Sequence, residues 1–290
     1  MNTRLPPVIH SADNPIYKKL LALQTARGIR KHGEFLVAGP KVIAEALRQK
    51  PEAVTAWIAT SDMPPPSSLI RPLATVSCSR CGNAVAAEGI HALTGASTKI
   101  EIPIHELGHV SLVLLAKGLF RDVNLFGAPG PLLAMQTPDL PAFQPEAPWP
   151  EGCTLFIPFG DPENVGGAIR AAAGLGAARV VLLQEAACPF LPKAVRAAAG
   201  ATWKIRLESG GGLAELTSIK AAPLFALDME GTPLQNAKHP ACYGLVAGME
   251  GQGLPEVLRR HCRRVSIPMA NGIESLNAAA AIAIALWAWR

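Results

Sequence analysis

The sequence has few cysteines, no long apolar run and few acidic residues near its start. Six cysteines among 290 residues are too sparse for a disulfide framework, which favours a reducing compartment. The longest apolar run, Ala278–Trp289, is shorter than the roughly 20 residues that a membrane-spanning helix needs. The N-terminal residues also lack the apolar core of a signal peptide. We therefore expect a cytoplasmic protein with no membrane partner.

The scarcity of acidic residues is most marked in the first fifty positions. Three acidic residues stand there against nine lysines and arginines, and the whole chain has a formal net charge of +5. Such an excess suits a nucleic-acid partner, although solvated helix ends carry the same residues. The segment Arg27–Gly33 is predicted to be a loop rich in phosphate-binding donors. The candidate RNA contacts in this region are Lys18, Arg27, Arg30 and Lys31.

Residues 1–136 are predicted to form a first, α/β domain. Asn14 and Pro15 are typical of a helix start, after which Glu34–Val37 fits a short strand and Gly39–Leu47 a helix. Residues 62–98 lose this regularity and are interpreted as an insertion. Leu132–Met135 fits the last strand of the domain.

A proline-rich segment marks the expected domain boundary. Residues 137–150 contain five prolines among fourteen residues, a composition that disfavours both helix and sheet. We interpret it as a linker. The second domain would then cover residues 151–290.

The second half alternates apolar strands with helices, a pattern that predicts a parallel sheet with helices on both faces. Ligands of such sheets bind beyond the carboxyl ends of the strands. The expected strands are Thr154–Phe159, Arg179–Leu183, Trp203–Leu207, Pro223–Leu227, Tyr243–Ala247 and Arg264–Pro268.

Three polar, glycine-bearing loops follow apolar runs in this half. A helix start beside such a loop can hold a polar or anionic ligand, and Ser275 or Asn277 could begin the last helix. In this order the three motifs resemble those of the SpoU, or TrmH-like, RNA ribose methyltransferases of the SPOUT superfamily. The motif residues are Asn164, Gly166, Arg170 and Ala172; Gly248, Glu250 and Gly253; and Ile267, Pro268, Met269, Ser275, Leu276 and Asn277.

The resemblance implies an S-adenosyl-L-methionine-dependent enzyme that methylates a ribose 2′-hydroxyl, in a SPOUT domain with a trefoil knot. It also implies a homodimer. The cofactor residues implied are Leu245, Gly248, Gly251, Gly253, Ile267, Met269, Ser275, Leu276 and Asn277. The catalytic residues implied are Arg170, Asn164, Glu250, Ser275 and Asn277.

The first domain resembles the L30e-like substrate-binding domain that precedes the catalytic domain in many family members. Because of this likeness we expect ribosomal RNA as the substrate ahead of transfer RNA. A later segment is similar to the family's RxSxGA motif and adds Arg196 as an RNA contact. The matching residues of the first domain are Ser11, Asn14, Pro15, Leu23, Arg30, Gly33, Phe35, Leu36, Val37 and Gly39.

Three positions depart from the family pattern. Ala38 replaces a common glutamate, Ala198 the usual serine, and Met249 an asparagine or serine. These changes leave open the alternative that the protein has the same fold and binds RNA but does not methylate it.

A zinc site is the remaining alternative. His105–His109 satisfies H-E-x-x-H, a protease signature that requires both histidines on one helix face. The preceding residues alternate like a strand and include Pro103, which disfavours that helix. Cys78 and Cys81 lack a second matching pair of cysteines, although His91, His105 and His109 could complete a set of ligands. We expect no metal.

Overall fold

The computed structural model describes residues 5–63, 85–86, 101–102, 110–249, 253–273 and 275–290. The chain divides into two compact units, one made of residues 1–137 with 190–192 and the other of residues 138–189 with 193–290. No helix within the described ranges is long and apolar enough to cross a membrane.

The first unit combines short helices with a four-stranded sheet in the order β1-β6-β2-β5. Strand β6 pairs antiparallel with β1 and β2, whereas β2 and β5 are parallel. The helices are α1 (Pro15–Ala22), α2 (Ala26–His32), α3 (Pro40–Gln49) and α4 (Lys117–Val123). The strands are β1 (Glu34–Ala38), β2 (Val54–Ala59), β3 (Val85–Ala86), β4 (Glu101–Ile102), β5 (Ser111–Leu114) and β6 (Leu132–Gln136).

The predicted strands at Glu34 and Leu132 are confirmed, but the predicted loop at Arg27–Gly33 is wrong. That segment is helix α2 followed by its C-cap. The Thr25 side chain accepts a hydrogen bond from the Gly28 N–H at 3.1 Å, and Gly33 ends the helix with φ at 64°. A polar N-cap and a left-handed glycine are ordinary helix boundaries, and the basic residues between them obscured this signal.

The second unit is built on a six-stranded parallel sheet in the order β12-β10-β11-β7-β8-β9. This confirms the predicted α/β class with a parallel sheet. The strands are β7 (Gly152–Ile157), β8 (Arg179–Leu182), β9 (Leu207–Ser209), β10 (Leu224–Pro233), β11 (Cys242–Val246) and β12 (Arg263–Ser266). The helices are α5 (Pro162–Leu175), α6 (Pro192–Ala198), α7 (Glu256–His261) and α8 (Ala278–Ala288).

Both faces of this sheet are buried, which explains the continuous apolar runs of its strands. Leu155 and Ile157 belong to one core cluster together with residues of α5 and α8. Phe156, between them, belongs to a second cluster on the opposite face. Alternate side chains of one strand therefore serve two separate cores.

One predicted strand was misplaced. Ala201–Trp203 forms a 3-10 turn, and the strand itself is Leu207–Ser209. Trp203, Ile205 and Leu207 alternate as in a strand, but Gly200 at φ 89° starts a turn before them. The pairing of Leu207 with Val180 of β8 then fixes where the strand begins.

The proline-rich segment packs along the second unit. The Phe143 N–H donates to the Ser209 carbonyl at 2.8 Å, and the Ser209 N–H donates to the Pro141 carbonyl at 2.9 Å. The Arg179 guanidinium lies 4.9 Å from the Phe143 ring centre and 5.3 Å from that of Trp149. Hydrogen bonds to the edge strand and cation–π contacts therefore hold this segment in place.

Arg179 also anchors a buried ion pair within the sheet. Its Nη1 lies 3.3 Å from the Glu208 carboxylate, and its Nε donates to the Thr154 hydroxyl at 3.1 Å. Arg206 approaches the other Glu208 oxygen at 2.6 Å. Since a buried charge without a partner is costly, these contacts fix the register of β7, β8 and β9.

Candidate functional site

Strand β10 and the loops that follow β11 and β12 surround a cavity of about 600 Å³. Because the strands are parallel, their carboxyl ends meet at one edge of the sheet. The start of helix α8 and the first turn of α5 complete the wall. The lining residues are Asn164, Leu227, Asp228, Met229, Ala247, Gly248, Met249, Gly253, Leu254, Arg259, Val265, Ile267, Met269, Ser275, Leu276, Asn277, Ala278 and Ala281.

The glycine-bearing loop after β11 is closed at its base by backbone hydrogen bonds. The Met249 N–H donates to the Gly253 carbonyl at 3.0 Å, and the Gly253 N–H donates back at 2.9 Å. A Cβ atom on Gly248 would lie 3.0 Å from the Gly253 backbone, and Gly253 itself has a φ of 67°. The loop conformation therefore depends on glycine at both positions.

Asn277 joins the first and third motifs. Its side-chain oxygen accepts hydrogen bonds from the Ala279 and Ala280 N–H groups at 3.0 and 3.2 Å, which makes it the N-cap of α8. Its Nδ2 donates to the Asn164 side-chain oxygen at 2.7 Å. Of the two helix starts that the sequence left open, Asn277 is the one used. One amide thus caps a helix and orients a cavity residue 113 positions away.

Helix α5 approaches its neighbours closely through two glycines. A Cβ on Gly166 would lie 2.2 Å from the Ala194 carbonyl oxygen, and one on Gly167 would lie 2.9 Å from the Ala279 Cβ. Arg170 follows these glycines by four and three residues, so it shares their side of the helix. Its side chain is exposed and has no ion pair with other described residues. The geometry leaves its guanidinium available to a bound molecule.

Most of the predicted cofactor residues lie around the cavity. Leu245 does not, because it is fully buried in β11. Arg170 is also outside the lining set, and Glu250 and Gly251 fall outside the described residues. The predicted residues that line the cavity are Asn164, Gly248, Gly253, Ile267, Met269, Ser275, Leu276 and Asn277.

The residues predicted to contact RNA differ in whether an acidic side chain pairs with them. Lys18 pairs with Asp13 at 2.8 Å. Arg27, Arg30 and Lys31 project from helix α2 into solvent, and none has an ion pair within the described part of the chain. Arg196, in the second unit, is exposed near the end of α6. Helix α2 is therefore the strongest unneutralised basic surface among these candidates.

Sequence reasoning missed two cavity residues, Asp228 and Arg259. The Arg259 Nε donates to Asp228 at 2.7 Å, and its Nη2 donates to Glu230 at 3.0 Å. The hydrogen bond to Asp228 raises the pKa of Arg259. The signal available was an acidic residue at the end of a predicted strand. Its basic partner lies 31 positions away in a charged helix, so the sequence did not connect them.

The chemistry of the remaining candidates is limited. Burial raises the pKa of Cys153 and of Cys262 to about 12, so neither supplies a thiolate at neutral pH. No cluster of three metal-binding side chains occurs within the described ranges. The histidine pair His105 and His109 and the cysteine pair Cys78 and Cys81 lie outside those ranges.

The SpoU rRNA Methylase family model matches residues 155–287, the segment that carries the cavity. A similar protein is the "Uncharacterized tRNA/rRNA methyltransferase" of Mycolicibacterium smegmatis. It is 30% identical over 292 residues, a match that covers 97% of this chain and 85% of that protein.

Two other relatives are matched over about half of their own length. The Ribosomal RNA small subunit methyltransferase G 2 of Syntrophobacter fumaroxidans is 38% identical over 97% of this chain and 48% of its own length. The 23S rRNA (guanosine-2′-O-)-methyltransferase of Acinetobacter baylyi is 31% identical over 44% of this chain and 54% of its own length. The chain thus spans about half the length of the first relative, and its match to the second covers about half of that protein.

The fold is similar to that of the SpoU methyltransferase AviRb from Streptomyces viridochromogenes, solved in complex with the cofactor AdoMet. The TM-score is 0.70 at 21% sequence identity, and the match covers 95% of this chain and 96% of that one.

Proposed function

Because the chain belongs to the SpoU rRNA methylase family, we propose that it transfers a methyl group from S-adenosyl-L-methionine to a ribose 2′-hydroxyl of RNA. The observation that carries this proposal is the convergence of all three family motifs on one cavity. Ribosomal RNA is the proposed substrate ahead of transfer RNA, since the family description and two similar proteins name ribosomal RNA. Such a reaction would take place in the cytoplasm.

The cavity suits a nucleoside-containing cofactor. Ile267, Met269 and Leu276 offer apolar surface, while Gly248 and Gly253 bring backbone donors and acceptors to the wall. Adenine needs this combination of an apolar slot and peptide groups. The residues proposed to hold S-adenosyl-L-methionine are Leu245, Gly248, Gly251, Gly253, Ile267, Met269, Ser275, Leu276 and Asn277, with Leu245 acting from beneath the loop.

Arg170 is the proposed group for activating the ribose hydroxyl. The bound cofactor would supply an electrophilic methyl on its sulfonium. An arginine remains protonated, so Arg170 would hold the neighbouring phosphate and stabilise the oxygen as it loses its proton. Asn164, held by Asn277, would orient the substrate. Glu250 and Ser275 would support that network and the loop.

The first unit is the proposed RNA-binding domain, of the L30e-like type. Its exposed helix α2 presents Arg27, Arg30 and Lys31, which fit the phosphates of a folded RNA. Lys18 and Arg196 would add further contacts. We propose residues 1–136, 137–150 and 151–290 as substrate-binding domain, linker and methyltransferase domain.

Two further features are proposed from the family and its fold. One is the trefoil knot formed by the C-terminal segment, which the likeness in fold supports. The other is a homodimer. Helix α8 exposes Ile284 and Trp287 by 39% and 70%, three residues apart on one face, and a second copy could cover that face.

Two measurements test the activity together. Calorimetric titration with S-adenosyl-L-methionine should show binding, and mass spectrometry of nucleosides should show a new 2′-O-methylnucleoside after incubation with ribosomal RNA. Arg170→Ala should abolish the product and leave cofactor binding unchanged. The matched control Lys220→Ala, also exposed, should retain activity. A folded wild-type sample that binds no cofactor would overturn the proposal.

The second candidate is an RNA-binding protein of this fold without turnover. Met249 lines the cavity where many relatives carry a polar residue, and Ala198 is buried in α6 where they carry a serine. In that case the protein would bind ribosomal RNA with no methylated product from any RNA tested, including transfer RNA.

A further inference from the structure

Two charged side chains, Asp228 and Arg259, stand in the cavity wall among its described residues. Neither belongs to the three motifs that led to the proposed cofactor site. Asp228 comes from the extended strand β10, and Arg259 comes from helix α7, which follows the glycine-bearing loop. The Asp228 side chain is 9% exposed and the Arg259 side chain is 32% exposed, so both are largely shielded from solvent.

The Asp228 carboxylate is already occupied by protein donors. Its Oδ2 accepts the Nε of Arg259 at 2.7 Å. Its Oδ1 accepts the Glu230 N–H at 3.0 Å and the Arg259 Nη2 at 3.4 Å. Two hydrogen bonds to one guanidinium fix both its position and its plane. Asp228 therefore orients the Arg259 guanidinium, and its oxygens have little capacity left to accept hydrogen bonds from a ligand.

Arg259 retains unused donors. Nε and Nη2 are taken by Asp228 and Glu230. Among the described residues, the acidic oxygen nearest to Nη1 is Oε2 of Glu256. It lies 3.9 Å away, which is beyond hydrogen-bond length. A guanidinium that is held on one edge and open at its remaining nitrogen is prepared to bind an anion, because little conformational entropy is lost on binding.

S-adenosyl-L-methionine has one anionic group, the α-carboxylate of its methionine part; its ammonium and sulfonium are both cationic. The described wall has one cationic side chain. We infer that Arg259 binds this carboxylate and that Asp228 positions Arg259 for it. This inference rests on the proposed cofactor, and it adds a specificity-determining residue outside the family motifs.

The test compares two ligands that differ in the carboxylate alone: S-adenosyl-L-methionine and its decarboxylated form. In calorimetric titrations of the full chain, Arg259→Gln should weaken binding of S-adenosyl-L-methionine about tenfold, the loss expected for one charge-assisted hydrogen bond. The affinity of the Arg259→Gln variant for the decarboxylated ligand should equal that of the wild type. Arg259→Lys keeps the charge without the planar fork and should give a smaller loss.

Arg260→Gln is the matched control, because Arg260 is the adjacent exposed arginine and pairs with Glu256 at 2.8 Å. It should change neither affinity. An equal loss for both ligands in Arg259→Gln would make Arg259 a structural part of the wall and overturn the inference, as would no loss for either. Wild-type protein that binds neither ligand would overturn the proposed cofactor as well, which separates the two failures.

Discussion

Asn277 shows how one residue can combine a structural and a functional duty. Its side-chain oxygen caps helix α8, and its side-chain nitrogen holds Asn164 across the cavity. A sequence pattern can reveal the first duty, because asparagine before an alanine-rich run is a common N-cap. The second depends on a partner 113 residues away.

Two substitutions at Asn277 separate these duties. Asn277→Ala removes both, and loss of the cap should lower the free energy of unfolding by about 1 kcal/mol. Asn277→Ser retains a capping oxygen but cannot reach Asn164, so its stability should stay near that of the wild type. Both variants should bind S-adenosyl-L-methionine more weakly. Denaturant unfolding and calorimetric titration measure the two effects, and full cofactor affinity in Asn277→Ser would contradict the second duty.

Helix α5 is the element that positions the first motif, and its packing depends on glycine. Gly166 lies against the Ala194 backbone, so an added methyl group would have to displace a rigid neighbour. Gly174, later in the same helix, faces open space. Helix preference alone disfavours both glycines equally, and only the tertiary packing shows that Gly166 is required and Gly174 is replaceable.

Alanine at these two positions should therefore act in opposite directions. Gly174→Ala should raise the free energy of unfolding by about 0.5–1 kcal/mol, the helix preference of alanine over glycine. Gly166→Ala gains the same preference but should lose about 1–3 kcal/mol to overpacking. Thermal unfolding of both variants gives the comparison. Equal stabilisation by the two would mean that α5 and α6 do not approach as closely as described.

At the level of elements, sequence patterns predicted strands correctly where the burial of apolar side chains determines the structure. Continuous apolar runs identified four of the six strands of the parallel sheet to within two residues at each end, because burial on both faces requires them. They also located the start of β10, which continues six residues beyond the predicted end at Leu227. The pattern failed at Trp203–Leu207, because Ala201–Trp203 forms a turn and the strand begins only at Leu207. It also failed at α2, where basic residues concealed a capped helix.

Over the whole molecule, the excess of positive over negative charge lies in one part of the chain. Residues 1–137 contain 14 lysines and arginines against 9 acidic residues, whereas residues 138–290 contain 13 of each. The formal net charge of +5 thus resides entirely in the first unit. Long-range attraction of an RNA would act on that unit, since the formal charges of the second unit sum to zero.

This distribution predicts where the salt dependence of RNA binding arises. Arg30→Gln/Lys31→Gln should lower the slope of log affinity against log salt by about 0.7–0.9 for each phosphate that is no longer neutralised. Lys220→Gln/Lys238→Gln removes the same charge from exposed positions of the second unit and should leave the slope unchanged. Filter binding of a ribosomal RNA fragment at several salt concentrations measures it. Equal changes in both variants would show an effect of net charge alone.

The assembly of the molecule is predicted to depend on helix α8. Trp289 is buried and donates to the Leu234 carbonyl at 3.3 Å, so it stabilises the fold. Trp287 and Ile284 stay exposed, and Ile284→Ser/Trp287→Ser should convert a dimer to a folded monomer. Val257→Ser, which alters an equally exposed apolar residue on α7, is the control. Light scattering after size exclusion gives the mass, and an unchanged dimer would exclude this face.

The sequence by itself determined the parallel α/β class of the second unit, the three motif loops and the family. These follow from local periodicity and from short motifs, which neighbouring residues specify. Tertiary structure decided which of the motif residues meet. It joined Asn164 to Asn277 by a hydrogen bond, buried Leu245 within strand β11 and left Arg170 outside the cavity lining. It also brought Asp228 and Arg259 together in the cavity wall. Contacts between residues far apart in the sequence depend on how strands and helices pack, and no local sequence pattern specifies them.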